Sequence, residues 1–169
     1  VAAPLGNLGD LTARAASVLA DADFIAAEDT RVTLKLLNHL NIKKPLVSYH
    51  EHNRTQSGEK IVTRILGGEC CALVTDAGMP AVSDPGEELV RACADAGLEV
   101  RAVPGACAAV TALALSGLPS GRFTFEGFLS TARKNRFERL NELKTEKRTM
   151  IFYEAPHKLR ATLKDLLET

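Results

Sequence analysis

Three short apolar segments of this chain each run straight into a turn bearing glycine or proline: Val1 to Gly9 (VAAPLGNLG), Ala72 to Gly86 (ALVTDAGMPAVSDPG) and Val100 to Val110 (VRAVPGACAAV). A strand that ends in such a turn and feeds a helix is the building unit of an open α/β sheet. Its strand ends meet along one edge, where backbone N–H and C=O groups can surround a small molecule. The triple occurrence predicts a parallel-rich α/β fold with one shared site at that edge.

The same alternation runs through the rest of the chain. Asp10 or Thr12 caps a helix to about Leu19, and Phe24 to Ala27 reads as a buried strand ended by the polar run EDTR. A helix follows with Leu34, Leu37 and Leu40 on one side. Leu46 to Ser48 is a strand that exits through YHEHNR, and a helix covers Ser57 to Leu66. Further strands are predicted at Cys70 to Val74 and Val100 to Val103, with helices at Glu87 to Ala96 and Ala106 to Leu115. Ser116 to Gly121 has linker composition. The reading is therefore an N-terminal α/β domain over 1–115, a linker over 116–122 and the start of a second α/β domain over 123–169. That second part holds strands at Phe123 to Phe128 and Thr149 to Tyr153, a charged helix from Arg133 to Leu143 and a helix after Pro156. Both ends read as truncated, because VAAP is a short opening strand and about 47 residues make a small independent core.

A hydrophobic content of 46% supplies a core, and no window reaches the ~18 apolar residues of a membrane span. With no charged region leading into an apolar stretch, the expected location is the cytoplasm and no membrane partner is expected. The four cysteines lack metal-type spacing and are expected as free, mostly buried thiols. Formal net charge is zero, so nothing draws the whole molecule toward nucleic acid. Residues 133 to 148 nevertheless concentrate Arg133, Lys134, Arg136 and Arg139 with further cations. They form a candidate basic patch, or a solvated helix face balanced by Glu138 and Glu142.

Asp76, Ala77, Gly78 and Met79 follow a buried strand, so a carboxylate and a row of amides stand at the sheet edge, suited to a ligand carrying both amino and carboxylate groups. The same residues would also make a tight loop in which Asp76 caps its own backbone. Pro104 to Ala108 opens a helix with little side-chain bulk, which admits a flat ring or close helix–strand packing. The first turn holds GxxG where the dinucleotide fingerprint needs GxGxxG, and GxxxxGK[ST] does not occur, so nicotinamide and ATP chemistry are disfavoured. His50 and His52 stand at a polar strand exit without a third ligand at a recognisable spacing; they suit proton handling better than a metal, and no metal is expected. Arg31, beside Glu28 and Asp29, is a candidate phosphate anchor, the alternative being ordinary helix capping by Asp29 or Thr30.

Taken in order, VAAPLGNLGDLT, IAAEDTR, SYHEHN, LVTDAGMPAVSDPG, VPGACAAVTALALSGLP, FTFEGFL and IFYEAPHKL resemble the motif series of the small-subunit ribosomal RNA methyltransferases of the tetrapyrrole methylase superfamily. The resemblance implies a non-Rossmann methyltransferase of two α/β domains and a homodimer. It implies S-adenosylmethionine as cofactor, S-adenosylhomocysteine as product, and 2′-O-methylation of a cytidine ribose in 16S rRNA within the 30S subunit. By motif position it implies cofactor contacts at Leu5, Gly6, Asp76, Ala77, Gly78, Met79, Val82, Cys107, Ala108, Tyr153 and Glu154. His50 or His52 would then serve as base, Arg31 as phosphate anchor, and Arg133, Lys134, Arg136 and Arg139 as RNA contacts. Met79 stands where the family more often has Thr, and Cys107 where it more often has Ser. Two competing readings are a tetrapyrrole-precursor methylase of the same superfamily and a non-catalytic nucleotide- or RNA-binding module.

Overall fold

The structure is a computed structural model that describes residues 1–169. The chain forms two compact units, Val1–Ala108 and Ala109–Thr169. In the first, strands β1 (Phe24–Ala27), β2 (Leu46–Ser48) and β3 (Cys71–Val74) make a parallel sheet in the order β2-β1-β3. Ile25 stands opposite Leu46 on one side and Ala72 on the other.

The central strand is buried on both faces, as an uninterrupted apolar run FIAA requires. Ile25 and Ala27 pack with Leu19, Leu36, Leu37, Ala72 and Val74 on one side of the sheet. Phe24 and Ala26 pack with Tyr49, Ile61, Leu89 and Cys93 on the other. Because side chains alternate along a strand, one four-residue segment anchors two helical layers, each large side chain contributing about 1.5–3 kcal/mol. The helices are α1 (Ala13–Asp21), α2 (Thr30–His39), α3 (Arg54–Leu66) and α4 (Glu87–Asp95). Thr12 caps α1 by accepting from the Ala15 amide, and Asp29 caps α2 by accepting from the Arg31 amide.

Four expectations are corrected here. The buried face of α2 is Thr33, Leu36 and Leu37, while Leu34 is 49% exposed; the i, i+3, i+4 stripe begins one residue earlier than the leucine spacing suggests. Val100 to Val103 and the first three residues form no regular strand. They contribute one bond, from Ala2 N–H to Val103 O at 3.1 Å, and an isolated antiparallel bridge between Ala3 and Gly78. Pro4 and Pro104 follow immediately and have no N–H with which to extend a ladder. Helix α3 starts at Arg54, ahead of Ser57, because Asn53 folds the strand exit back: its Oδ1 accepts from the His50 amide and its Nδ2 donates to Ser48 O. The cysteines are free as expected, but of the four only Cys93 is buried and Cys70, one residue before β3, is exposed. Partial burial pushes the Cys71 thiol up to about 12, which keeps it protonated and unreactive.

The second unit pairs β4 (Phe123–Phe128) with β5 (Thr149–Tyr153) in parallel, joined through α6 (Arg133–Leu143). A register shift between Phe125 and Gly127 bends β4, and Gly127 takes a φ of 60° there. Helix α5 (Ala108–Ser116) precedes this pair and α7 (Leu159–Glu168) follows it. No helix is long and apolar enough to cross a membrane.

Candidate functional site

The three turns singled out by the sequence meet at one residue of the first unit. Gly78 exchanges two hydrogen bonds with Ala3, its carbonyl accepting at 2.8 Å and its amide donating at 3.0 Å. A Cβ built on Gly78 would lie 3.3 Å from Leu5 Cδ2 and 3.9 Å from the Ala106 carbonyl. Leu5 belongs to the first turn, Gly78 to the second and Ala106 to the third, so the Leu5 side chain and the Ala106 carbonyl both approach Gly78, whose φ of +74° favours glycine. Around it Leu5, Gly6, Ala77 and Val82 are exposed, and Met79, Cys107 and Ala108 are half-buried. The loop that carries Val82 is conformationally costly: Ala81 and Ser83, on either side of it, both hold positive φ values of 66° and 58°.

The strand exits of β1 and β3 are cross-linked by their acids. Asp76 Oδ1 accepts from the Asp29 amide at 3.2 Å, and Glu28 Oε2 accepts from the Asp76 amide at 3.3 Å. Burial pushes the Glu28 carboxyl above its ordinary range, and the charges of Asp76, Asp84 and Asp29 push it further. Burial likewise raises Asp84, with Asp76 adding to it. Asp29 behaves oppositely: hydrogen bonds from the Arg31 side chain and amide hold its carboxyl down at about 2. Arg31 is largely exposed and spends its guanidinium on Asp29, Nη2 to Oδ2 at 2.6 Å. As a phosphate anchor it would have to share or leave that partner.

Beside this edge lies a cavity of about 240 Å³ lined by Gly6 and Asp76 together with Pro4, Val32, Lys35 and Thr75. A larger hollow of about 420 Å³, between α3 and α4, is lined by Tyr49, Gly58, Val62 and Leu89 and contains none of the three turns. His50 and His52 stand at the exit of β2 with ring centroids 5.9 Å apart in an edge-on arrangement. His50 Nδ1 is buried without a hydrogen-bond partner, whereas His52 is exposed. No group of three or more His, Cys, Asp or Glu side chains is placed to hold a metal ion.

In the second unit the Tyr153 hydroxyl accepts from the Ala109 amide at 3.1 Å, in the first turn of α5. Glu154 is fixed by Thr162, whose hydroxyl donates to Oε2, and by the Ala155 amide on Oε1. These bonds hold its carboxyl below the usual range. Arg136 is withdrawn from the RNA-contact set. It is 9% exposed, and its guanidinium donates to Asp165 and Thr162 at 2.6 Å each. Arg139 is also committed, to Glu126 and Glu142. Arg133 and Lys134 remain on the surface, Arg133 over the Phe137 ring at 4.6 Å. Thr75, Lys35 and Thr162 were invisible to sequence reasoning, since single threonines and lysines carry no spacing signal.

Comparison with known proteins supplies the frame for this geometry. A family model described as Tetrapyrrole (Corrin/Porphyrin) Methylases matches residues 1–169. The chain is 54% identical over 166 residues to a ribosomal RNA small subunit methyltransferase I of Synechocystis sp., covering 98% of this chain and 60% of that protein. It is 54% identical over 167 residues to the protein of the same name from Halalkalibacterium halodurans, covering 99% and 58%. The chain thus spans about three fifths of the length of these curated relatives. Among solved structures it resembles the cobalt precorrin-4 methyltransferase CbiF, with a TM-score of 0.69 at 18% identity over 99% of this chain and 72% of that one. It also resembles the methyltransferase CobJ, at 0.65 and 22% over 96% and 72%. With the family model matched from the first residue to the last and the three turns closing on Gly78, the chain belongs to the tetrapyrrole (corrin/porphyrin) methylases.

Proposed function

We propose that this protein is an S-adenosylmethionine-dependent methyltransferase of small-subunit ribosomal RNA, acting on the ribose 2′-hydroxyl of a cytidine in 16S rRNA within the 30S subunit. The observation that carries this reading is the meeting of Leu5, Gly78 and Ala106 in a chain about half identical to proteins bearing that name. The site fits the cofactor: Leu5, Gly6 and Ala77 leave exposed surface at this edge, and the exposed Asp76 offers a carboxylate to an ammonium group.

When bound, S-adenosylmethionine supplies an activated methyl group on its sulfonium and leaves as S-adenosylhomocysteine. Leu5, Gly6, Asp76 to Met79, Val82, Cys107 and Ala108 are proposed to hold it, with Tyr153 and Glu154 as further contacts. Positioning the ribose oxygen in line supplies much of the rate. The 2′-hydroxyl is a weak acid, so a base helps its proton leave. His50 is the proposed base, with Nε2 as the nitrogen left to meet substrate because Nδ1 is buried. Arg31, Arg133 and Lys134 are proposed to meet RNA phosphates.

A homodimer in the bacterial cytoplasm completes the proposal. The composition of residues 116–122 supports a domain boundary there, which limited proteolysis tests. The functional test is calorimetric titration of the purified protein with S-adenosylmethionine, NAD and ATP, followed by transfer of labelled methyl to 30S subunits. Selective binding of the first and labelling of 16S rRNA are expected. Transfer only to a tetrapyrrole precursor, or binding without transfer to any acceptor, would overturn the RNA assignment.

A further inference from the structure

We propose that Asn53 is a positioning residue for methyl transfer, acting through His50 by closing the turn that carries it. This rests on the RNA methyltransferase reading above and on His50 as its base. The parallel ladder between β1 and β2 ends at the bond from the Tyr49 amide to the Ala27 carbonyl, 2.8 Å long. His50 is thus the first residue beyond the sheet. Its amide donates to Asn53 Oδ1 at 2.8 Å, its carbonyl accepts from the Asn53 amide at 3.0 Å, and Asn53 Nδ2 donates back to the Ser48 carbonyl at 3.1 Å. Only one orientation of the side-chain amide satisfies both an N–H and a carbonyl, so its oxygen faces His50 and its nitrogen faces Ser48.

This arrangement runs against the local preference of the residue. Asn53 is the N-cap of α3, a position where asparagine ordinarily accepts from an amide of the first helical turn. It makes no such bond, and its φ of −120° and ψ of 3° lie outside the extended region usual for a cap. Helix α2, which also starts at a strand exit, is capped in the ordinary way by Asp29. A cap given up for bonds to the preceding strand is a broken local rule, and such departures concentrate at functional sites.

What His50 takes from the turn is orientation. A histidine acting as base is usually held by a hydrogen bond on its other ring nitrogen. His50 Nδ1 is buried and has no hydrogen-bond partner in the protein, so no side chain fixes the ring in that way. Tyr49, 1% exposed, locks one side of the turn into the core with Phe24 and Ile61, and Asn53 closes the other. The backbone of His50 is held between them, and the rotamers open to the ring follow from that backbone.

The test is a double-mutant cycle on the purified protein, read by single-turnover methyl transfer to 30S subunits, S-adenosylmethionine affinity and thermal melting. Asn53→Ser loses the reach to His50 and Ser48 but supplies a good cap. Turnover should fall at least about tenfold, since a misplacement of about 1 Å costs up to about 10²-fold. S-adenosylmethionine affinity should hold within about twofold and the melting temperature within about 3 °C, the new cap offsetting the lost turn bonds. Asn53→Asp keeps the acceptor for the His50 amide and loses the donor to Ser48, so its turnover should lie between the two, and it carries the cycle if Asn53→Ser does not fold. In a His50→Ala background neither change should lower turnover further, because a residue that acts through His50 has nothing left to position. Ordinary turnover in the Asn53 variants, a further loss in the double variant, or a parallel loss of S-adenosylmethionine affinity in a variant that melts like the parent would overturn the inference and leave the methyltransferase reading standing. Absence of S-adenosylmethionine binding by the unaltered protein would instead remove that reading, and this inference with it.

Discussion

Asp29 and Asp76, 47 positions apart, are joined by a hydrogen bond from the Asp29 amide to the Asp76 carboxylate at 3.2 Å, while the Asp76 amide returns a bond to Glu28. The pair ties the exits of β1 and β3 together at the edge where the three turns meet. Asp76 therefore has two separable roles, a structural acceptor and a proposed ligand for the cofactor's ammonium group. Asp76→Asn keeps the acceptor and should leave thermal stability within about 0.5 kcal/mol, yet weaken S-adenosylmethionine at least tenfold. Asp76→Ala should lose the affinity and about 1 kcal/mol of stability as well. Calorimetric titration and thermal melting on the two variants separate the roles.

Glu28 gives the fold a pH dependence of known sign. Burial, then the neighbouring acids, raise its carboxyl above the ordinary 4.5. A group whose folded pKa is raised favours the fold below its unfolded pKa and loses that contribution as pH climbs through the folded value. Glu28→Gln, which keeps an oxygen for the Asp76 amide, should melt higher than the parent at pH 7 to 8, with the gap closing below pH 4.5. A gap independent of pH would show that Glu28 does not titrate in this way.

Gly105 and Ala2 touch so closely that a Cβ on Gly105 would lie 2.8 Å from Ala2 Cβ. Gly105→Ala must push the first segment off the third turn, at a cost of about 1–3 kcal/mol. Gly121→Ala, with nothing within 4 Å, should change stability by no more than about 0.5 kcal/mol. Denaturant titration of the two variants checks the contrast.

Four cations of the second unit should divide into two kinds. Removing Arg136 leaves Asp165 and Glu154 without their buried partner, so Arg136→Ala should destabilise by about 3–5 kcal/mol. Arg133→Ala and Lys134→Ala should melt like the parent and each reduce the salt slope of 30S binding by about one. Arg139, held by Glu126 and Glu142, should leave the slope unchanged when replaced by Ala.

His50→Ala should lower turnover on 30S subunits by about 10²-fold or more while S-adenosylmethionine affinity holds within about twofold. His52→Ala, at an exposed ring, should have the smaller effect. Single-turnover rates alongside calorimetry decide this, and unchanged turnover removes the residue from the mechanism.

The sequence by itself determined most of the local structure. FIAA, LVS, FTFEGF and TMIFY read as strands with the bounds they have, because each is a short apolar or β-prone run between turn residues. The charged helix Arg133–Leu143 was equally legible. The three glycine- or proline-bearing turns were also legible as turns, although only the second leaves a regular strand. What the tertiary structure decided is which groups meet. Leu5, Gly78 and Ala106 converge only through the Ala3–Gly78 bridge and close backbone approach. Arg136 looks like its basic neighbours in the sequence, and only the packing of α7 beside α6 turns it inward onto Asp165 and Thr162. The same holds for Leu34 facing solvent and for Val100 to Val103 remaining outside the sheet. Strand and helix propensities act over a few neighbouring residues and survive in a short window of sequence. Burial, ion pairing and the shape of a cavity depend on groups tens of positions apart, and those distances exist only once the chain has folded.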